Sequence, residues 1–354
     1  MSPLLGLIFL FGFIGGCIFF WFGAPMPFML GGIFGSAAFV IIYERTGKKL
    51  PKVSRWVRLI FIAIIGTMIG SRFSPELLAL LPQFWISGLA IIPFILISHA
   101  GSYLLMRKAG GYRQIDAYFA TLPGGIVDSA ALAEKAGADL RIVTAQHFIR
   151  IILVVTAVPF LFLALSGEPV GSLAGETISA SDYDSRDVLL ILSIALTGLY
   201  LGRLIRLPVF HMVGPLILAL SLSVSGVISI DIPDWLAHLA QYMVGTALGA
   251  QFSGMSKKLL IKGLGVGVIV GLYMLVVGTV FAVVLTGYVP AEFSALFVSF
   301  AAGGLAEMSL IALSLNFNPV VVALHHLTRI FLTVVFGSVM AKYVFKWDSR
   351  DENI

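Results

Sequence analysis

Residues 115–133 read IDAYFATLPGGIVDSAALA, and whether this stretch crosses a membrane or turns back inside it decides the fold. Leu122-Pro123-Gly124-Gly125 interrupts it near its middle. Proline lacks the N–H that a helix interior uses, and paired glycines weaken helical backbone. That a membrane is involved follows from the rest of the chain. Of its 354 residues 59% are hydrophobic and 12% charged, with a mean hydropathy of +1.01. A water-soluble chain carries about 25% charge. Apolar runs at Leu4–Phe22, Phe84–Leu105, Ile142–Leu165 and Ile261–Thr286 are each long enough for a hydrocarbon core of about 30 Å. The class is therefore an all-α polytopic membrane protein.

The same stretch has a partner further along the chain. At one constant offset, the one that brings Trp56 onto Trp235, GTMIGSRFS (66–74) matches GTALGAQFS (245–253) and Gly88 matches Gly267. PGGIVD (123–128) then matches AGGLAE (302–307), and QHFIR (146–150) matches HHLTR (325–329). GAPMPFMLG (23–31) resembles RLPVFHMVG (206–214) at a slightly larger offset. Chance likeness between apolar helices would align Leu, Ile and Val, whereas these matches are Gly, Trp, His and Arg. The chain reads as an internal duplication.

Counting basic residues separates the two topologies. If 115–133 spans, each half has six crossings, and the loops hold 13 Lys and Arg inside and 8 outside. If it dips in and returns, each half has five. The loops 44–58, 107–113, 134–141, 203–206 and 257–262, with Lys342 and the C-terminal tail, then hold 19 of the 23 basic residues. The positive-inside rule prefers the second. The expectation is about ten transmembrane helices in two inverted repeats, both termini cytoplasmic, each repeat with a re-entrant Gly-Gly hairpin. The first repeat covers 1–167 with its hairpin at 115–133, and an external acidic linker covers 168–187. The second repeat covers 188–345 with its hairpin at 291–315, and 346–354 form a cytoplasmic tail. MSPLLGLIFLFGF lacks a basic leader and reads as the first span, not a removable signal peptide. The one cysteine, Cys17, excludes an intramolecular disulfide.

Inverted repeats with broken helices are the architecture of secondary transporters, whose solute and ion sites lie where non-helical backbone lines a cavity. Gly124, Gly125, Gly303 and Gly304 suit that role, or else close helix packing. Asp128 and Glu307 follow each glycine pair by three residues. They are candidates for coupling a proton or sodium ion, or for a salt bridge or helix-N-terminal cap. Arg150 and Arg329 sit deep in apolar runs with His147 and His326 on the same helix face. Two partners are open to the arginines: Asp128 or Glu307, or an anionic solute gripped by guanidinium. The histidines are proton-coupling candidates or hydrogen-bonding fillers. Thr67 and Thr246, in GTxxG, suit close helix contact better than a cavity wall. Pro25 and Pro208 break the chain between spans. The loop Glu44–Arg58, with six basic residues, suits anionic lipid or simply orientation.

GAPMPFMLGG, LPGGIVDSAALAEKAGADLRIVTAQHFIR and AAGGLAEMSLIAL…NPVVVALHHLTR resemble the bacterial membrane AbrB family over nearly the whole chain. The resemblance implies a multi-pass bacterial inner-membrane protein and supplies no catalytic residues. Members carry the labels of a regulator of aidB expression or an ammonia monooxygenase, and share a name with an unrelated soluble DNA-binding regulator. Copper oxidation would want clustered neutral histidines, and cationic arginines beside His147 and His326 oppose a metal. No metal site, no catalytic residue and no cofactor beyond a coupling proton or sodium is expected, and no nucleic-acid partner. The expected partners are the lipid bilayer, a small solute and, by analogy with carriers of this shape, a second copy in a homodimer. The paired tips look like those of glutamate and hydroxycarboxylate carriers. The leading expectation is an ion-coupled secondary transporter of a small solute, a carboxylate or other anion, and not an enzyme. The alternative is a membrane sensor that alters gene expression indirectly.

Overall fold

The computed structural model describes residues 3–48, 50–51, 53–166, 185–207, 209–255, 257–314 and 319–345. Most of the expected acidic linker, through residue 184, and the tail 346–354 lie outside the described residues. The described chain is helical. Its first part runs α1 (Pro3–Trp21), α2 (Pro27–Glu44), α3 (Arg55–Gly70), α4 (Pro75–Leu80), α5 (Trp85–Lys108), α6 (Gln114–Ala120), α7 (Ile126–Lys135) and α8 (Leu140–Ser166). Its second runs α9 (Ser185–Leu204), α10 (Phe210–Val224), α11 (Asp234–Gly249), α12 (Lys257–Leu285), α13 (Phe293–Phe300), α14 (Leu305–Ser314) and α15 (Pro319–Phe345). The helix bounds 55–70, 126–135 and 140–166 reappear, at the offset of the sequence repeat, as 234–249, 305–314 and 319–345.

Among the described residues, seven helices are long and apolar enough to cross a membrane: α1, α2, the stretch Pro75–Lys108, α8, α9, α12 and α15. Their outward side chains are apolar, as along α12, where Leu264, Leu272, Val276, Val280 and Val284 are exposed. Such a surface belongs in lipid. The protein is a multi-pass membrane protein. Ten crossings were expected, and α3, α10 and α11 account for the difference. They have 16, 15 and 16 residues, a rise of about 24 Å or less.

The chain divides into two compact units. The first, Met1–Pro82, Val155–Gly254 and Ala306–Ala323, is built on glycine contacts. Without a hydrophobic drive between helices in lipid, close backbone approach supplies the attraction. On α1 and α2, Gly31 lies against the backbone of Gly15 and Gly16; on α9 and α10, Gly214 lies against that of Gly198. The GTxxG stretches cross between the halves of the sequence. A Cβ at Gly66 would lie 2.6 Å from the Met212 carbonyl oxygen, and Gly70 faces that of Leu216. Gly245 and Gly249 face the carbonyls of Met29 and Ile33 in the same way, and Ser36 Oγ donates to the Thr246 carbonyl (3.1 Å). These glycines are packing devices. Gly31→Ala is expected to cost at least about 1–3 kcal/mol, because the added methyl meets backbone that cannot move aside. Gly6→Ala, in open space on the same helix pair, is the control and leaves the melting midpoint in detergent unchanged or slightly raised.

The second unit is Gln83–Val154, Met255–Leu305 and Leu324–Ile354. Its core gathers Met106, Tyr118, Phe119, Leu122, Val143, Val270, Met274 and Ala341. Here the expected helix break is present. α6 stops at Ala120 and α7 starts at Ile126, since Pro123 cannot donate to the Phe119 carbonyl and pushes Leu122 toward an extended backbone. The second break, between α13 and α14, has no proline: Ala301 is extended (φ −62, ψ 126) ahead of Gly303-Gly304. The glycine pair is what the two breaks share. Past α7, Gly137 takes φ +75 and donates to the Glu134 carbonyl, which turns the chain into α8.

Candidate functional site

A helix that stops inside a protein leaves its last carbonyls without donors. In the second unit last-turn carbonyls of this kind meet two histidines, and the carbonyls of the break that follows meet two arginines. Arg150 donates from Nη1 to the Leu122 carbonyl (2.7 Å) and from Nη2 to that of Gly124 (3.2 Å). Arg329 does the same to Ala301 (2.8 Å) and Gly303 (3.1 Å). His147 and His326 each bring Nε2 to 3.0 Å from a carbonyl one turn earlier, Phe119 and Val298. A carbonyl only accepts, so both rings carry the proton on Nε2. Every one of these contacts recurs at the offset of the sequence repeat.

Each His-x-x-Arg pair therefore caps the end of a broken helix from a neighbouring long helix. The cations also lie where the helix dipole is negative, which offsets part of their desolvation. The halves are not identical. Arg329 Nη2 also donates to His326 Nδ1 (2.9 Å), whereas His147 Nδ1 has no partner among the described residues. All four side chains are buried.

The first break also reaches α15. A Cβ at Gly124 would sit 2.7 Å from Thr333 Cγ2, one at Gly125 would sit 3.6 Å from Ile330 Cγ2, and Tyr118 Oη donates to the Gly337 carbonyl (2.9 Å). Gly124 thus joins Arg150, which bonds its carbonyl, to the turn of α15 that follows Arg329.

Neither arginine is paired with Asp128 or Glu307, one of the two expectations for them. Orphaned carbonyls at the breaks hold the guanidinium groups instead. Glu307, buried in the first unit, accepts from Arg58 Nη2 at 3.1 Å. Arg58 lies in α3 and not in the loop expected to end there. Ser54, whose side chain accepts from the Trp56 N–H, is the N-cap that marks the true start. At the offset of the sequence match, the position corresponding to Arg58 is Ala237, which carries no charge. Asp128 makes no ion pair among the described residues. It stands in the first turn of α7, half-buried, its Oδ2 2.9 Å from where a Gly125 Cβ would be. Gly124 and Gly303 are buried, Gly125 and Gly304 partly so.

Other polar groups carried no strong signal in the sequence. Asp116 is buried, held by Arg113 through Nε (2.7 Å) and Nη2 (2.8 Å), and accepts the Asp139 N–H (2.8 Å). It ties the start of α6 to the start of α8. Just ahead of α8, the Asp139 carboxyl is held below the usual carboxylate range by Arg141. Met26 and Val209 precede α2 and α10 with φ of 45° and 48°, a strained state for side-chain-bearing residues. Pro25, Pro27 and Pro208 flank them in the sequence. Glu307→Ala is expected to lower stability by about 1–3 kcal/mol, since it strands the buried end of Arg58. A melting curve in detergent checks it.

The family model described as transition state regulatory protein AbrB matches residues 28–345. The chain belongs to the AbrB family. Two relatives match at similar strength. YhjN of Bacillus subtilis (strain 168), whose name assigns no activity, is 25% identical over 340 residues, 90% of this chain and 88% of its own. A protein of Escherichia coli (strain K12) with the provisional name of regulator AbrB is 25% identical over 324 residues, 90% of each chain. In AbrB-family terms, the match takes in both breaks, both His-x-x-Arg pairs and the Arg58–Glu307 bridge.

Proposed function

We propose that this AbrB-family protein is an ion-coupled secondary transporter of a small anionic solute in a bacterial inner membrane, and not an enzyme. It would be built as two inverted repeats of five crossings, α3, α10 and α11 completing the ten, with both termini cytoplasmic and the breaks at 121–125 and 301–304 as re-entrant tips. One observation carries this reading. Two interrupted helices at equivalent positions are each capped by a buried arginine, which leaves non-helical backbone and positive charge buried inside a chain of apolar, membrane-spanning helices. Lipid tolerates such backbone only beside protein or a water-filled path. Arg150, Arg329, His147, His326 and the glycines of the breaks would face the solute, and Asp128 would carry the coupling ion.

Uptake into proteoliposomes tests it, using labelled succinate, acetate, phosphate and methylammonium with and without a pH or sodium gradient. Gradient-dependent accumulation of an anion is expected. Binding without accumulation would replace the carrier with the second reading, a membrane sensor, which the regulator name of the Escherichia coli relative favours.

A further inference from the structure

Four charged side chains are buried among the described residues: Asp116, Arg150, Glu307 and Arg329. The two carboxylates already have cations, Arg113 and Arg58. The two arginines have no carboxylate within ion-pair distance among the described residues. Arginine does not lose its proton in proteins, so two full positive charges lie buried and matched only by carbonyl dipoles. Those dipoles do not make up the difference, because each break joins the negative end of one helix to the positive end of the next.

We infer that Arg150 and Arg329 form one site for a small oxygen-rich dianion, a dicarboxylate or a divalent oxyanion, bound between them beside Thr333. The site deepens the carrier reading and depends on it for its role as a substrate site; its occupancy stands on charge and geometry. Three buried donors lack partners among the described residues: Arg150 Nε at the first break, Thr333 Oγ1 on the α15 side chain that meets Gly124, and Arg329 Nε one turn before Thr333. The large majority of buried donors in native proteins have a partner, and a buried cation without one calls for a ligand or water. The carbonyl bonds occupy one hydrogen on each Nη and leave each Nε–H free, so the cations are held in place before a ligand arrives. Two fixed cations match a charge of −2 and leave a monoanion with one arginine uncompensated. The side chains are closed off from solvent in this conformation, as a carrier between its open states requires.

The test is ligand-induced thermal stabilisation of the detergent-purified full chain at constant ionic strength, with succinate, sulfate and inorganic phosphate against acetate, chloride and methylammonium. At least tenfold tighter apparent binding of a dianion than of acetate is expected. Succinate alone would name a dicarboxylate, and sulfate or phosphate an oxyanion. Thr333→Val, which keeps both charges and the side-chain shape, should weaken that dianion several-fold, and Arg150→Lys or Arg329→Lys at least tenfold. Equal binding of acetate and succinate, or no binding by any dianion to the folded wild type, would overturn the site. Uptake separates it from the carrier reading. Accumulation of methylammonium or acetate without dianion binding sinks the site and leaves a carrier, whereas dianion binding without uptake leaves the site and removes the carrier.

Discussion

Arg329→Leu is expected to lower dianion affinity by at least about 30-fold while leaving stability close to that of the wild type. The two effects come from different balances. In stability, leucine strands the buried carbonyls of Ala301 and Gly303, at about 1–3 kcal/mol each. It also removes a guanidinium whose transfer into a bilayer centre costs about 2.5–3.5 kcal/mol. These terms nearly cancel. In binding nothing offsets the loss, because truncating one partner of a buried charge pair costs about 2–5 kcal/mol, and the low end of that range is already about 30-fold. Succinate titrations and melting curves on one preparation measure both. If Arg329 only caps α13, ligand affinity stays at the wild-type value.

If the protein is an ion-coupled carrier as proposed, Asp128→Asn is expected to abolish gradient-driven accumulation and to spare exchange of solute across the membrane. The sites of Asp116 and Glu307 are each neutralised by an arginine at 2.7 Å and 3.1 Å. A carboxylate so held has little freedom to take up and release a cation. Asp128, half-buried on the limb that follows the first break and without an ion pair among the described residues, has that freedom. One proton coupled across one pH unit gives about tenfold accumulation, since about 1.4 kcal/mol is a factor of ten. That ratio should drop to about one in Asp128→Asn, and Glu307→Gln should keep it. Unchanged accumulation in Asp128→Asn would remove Asp128 from coupling.

Proline, glycine and charge pattern carry the large features of this protein. Leu122-Pro123-Gly124-Gly125 breaks a helix by local chemistry, and GTxxG permits close packing by its lack of side chains, so both are legible in the letters alone. The burial of Arg150 and Arg329 is legible from the apolar runs around them. Their partners are not, because a backbone carbonyl has no letter, and only a folded break shows which carbonyls lack donors. The Arg58–Glu307 bridge joins positions 249 apart in the chain, a separation that no periodicity encodes. The left-handed backbone at Met26 and Val209 is hidden for a related reason: neither residue type favours it, and tertiary packing imposes it.

The most direct test of the central claim is succinate counterflow in proteoliposomes, comparing wild type with an Arg150→Lys/Arg329→Lys double variant of equal folded yield. Lysine keeps the charge and loses the planar fork. Labelled succinate should enter vesicles preloaded with the unlabelled dianion in the wild type and fall at least tenfold in the variant. Equal counterflow in both would contradict the assignment of the two arginines to the solute and return them to capping alone.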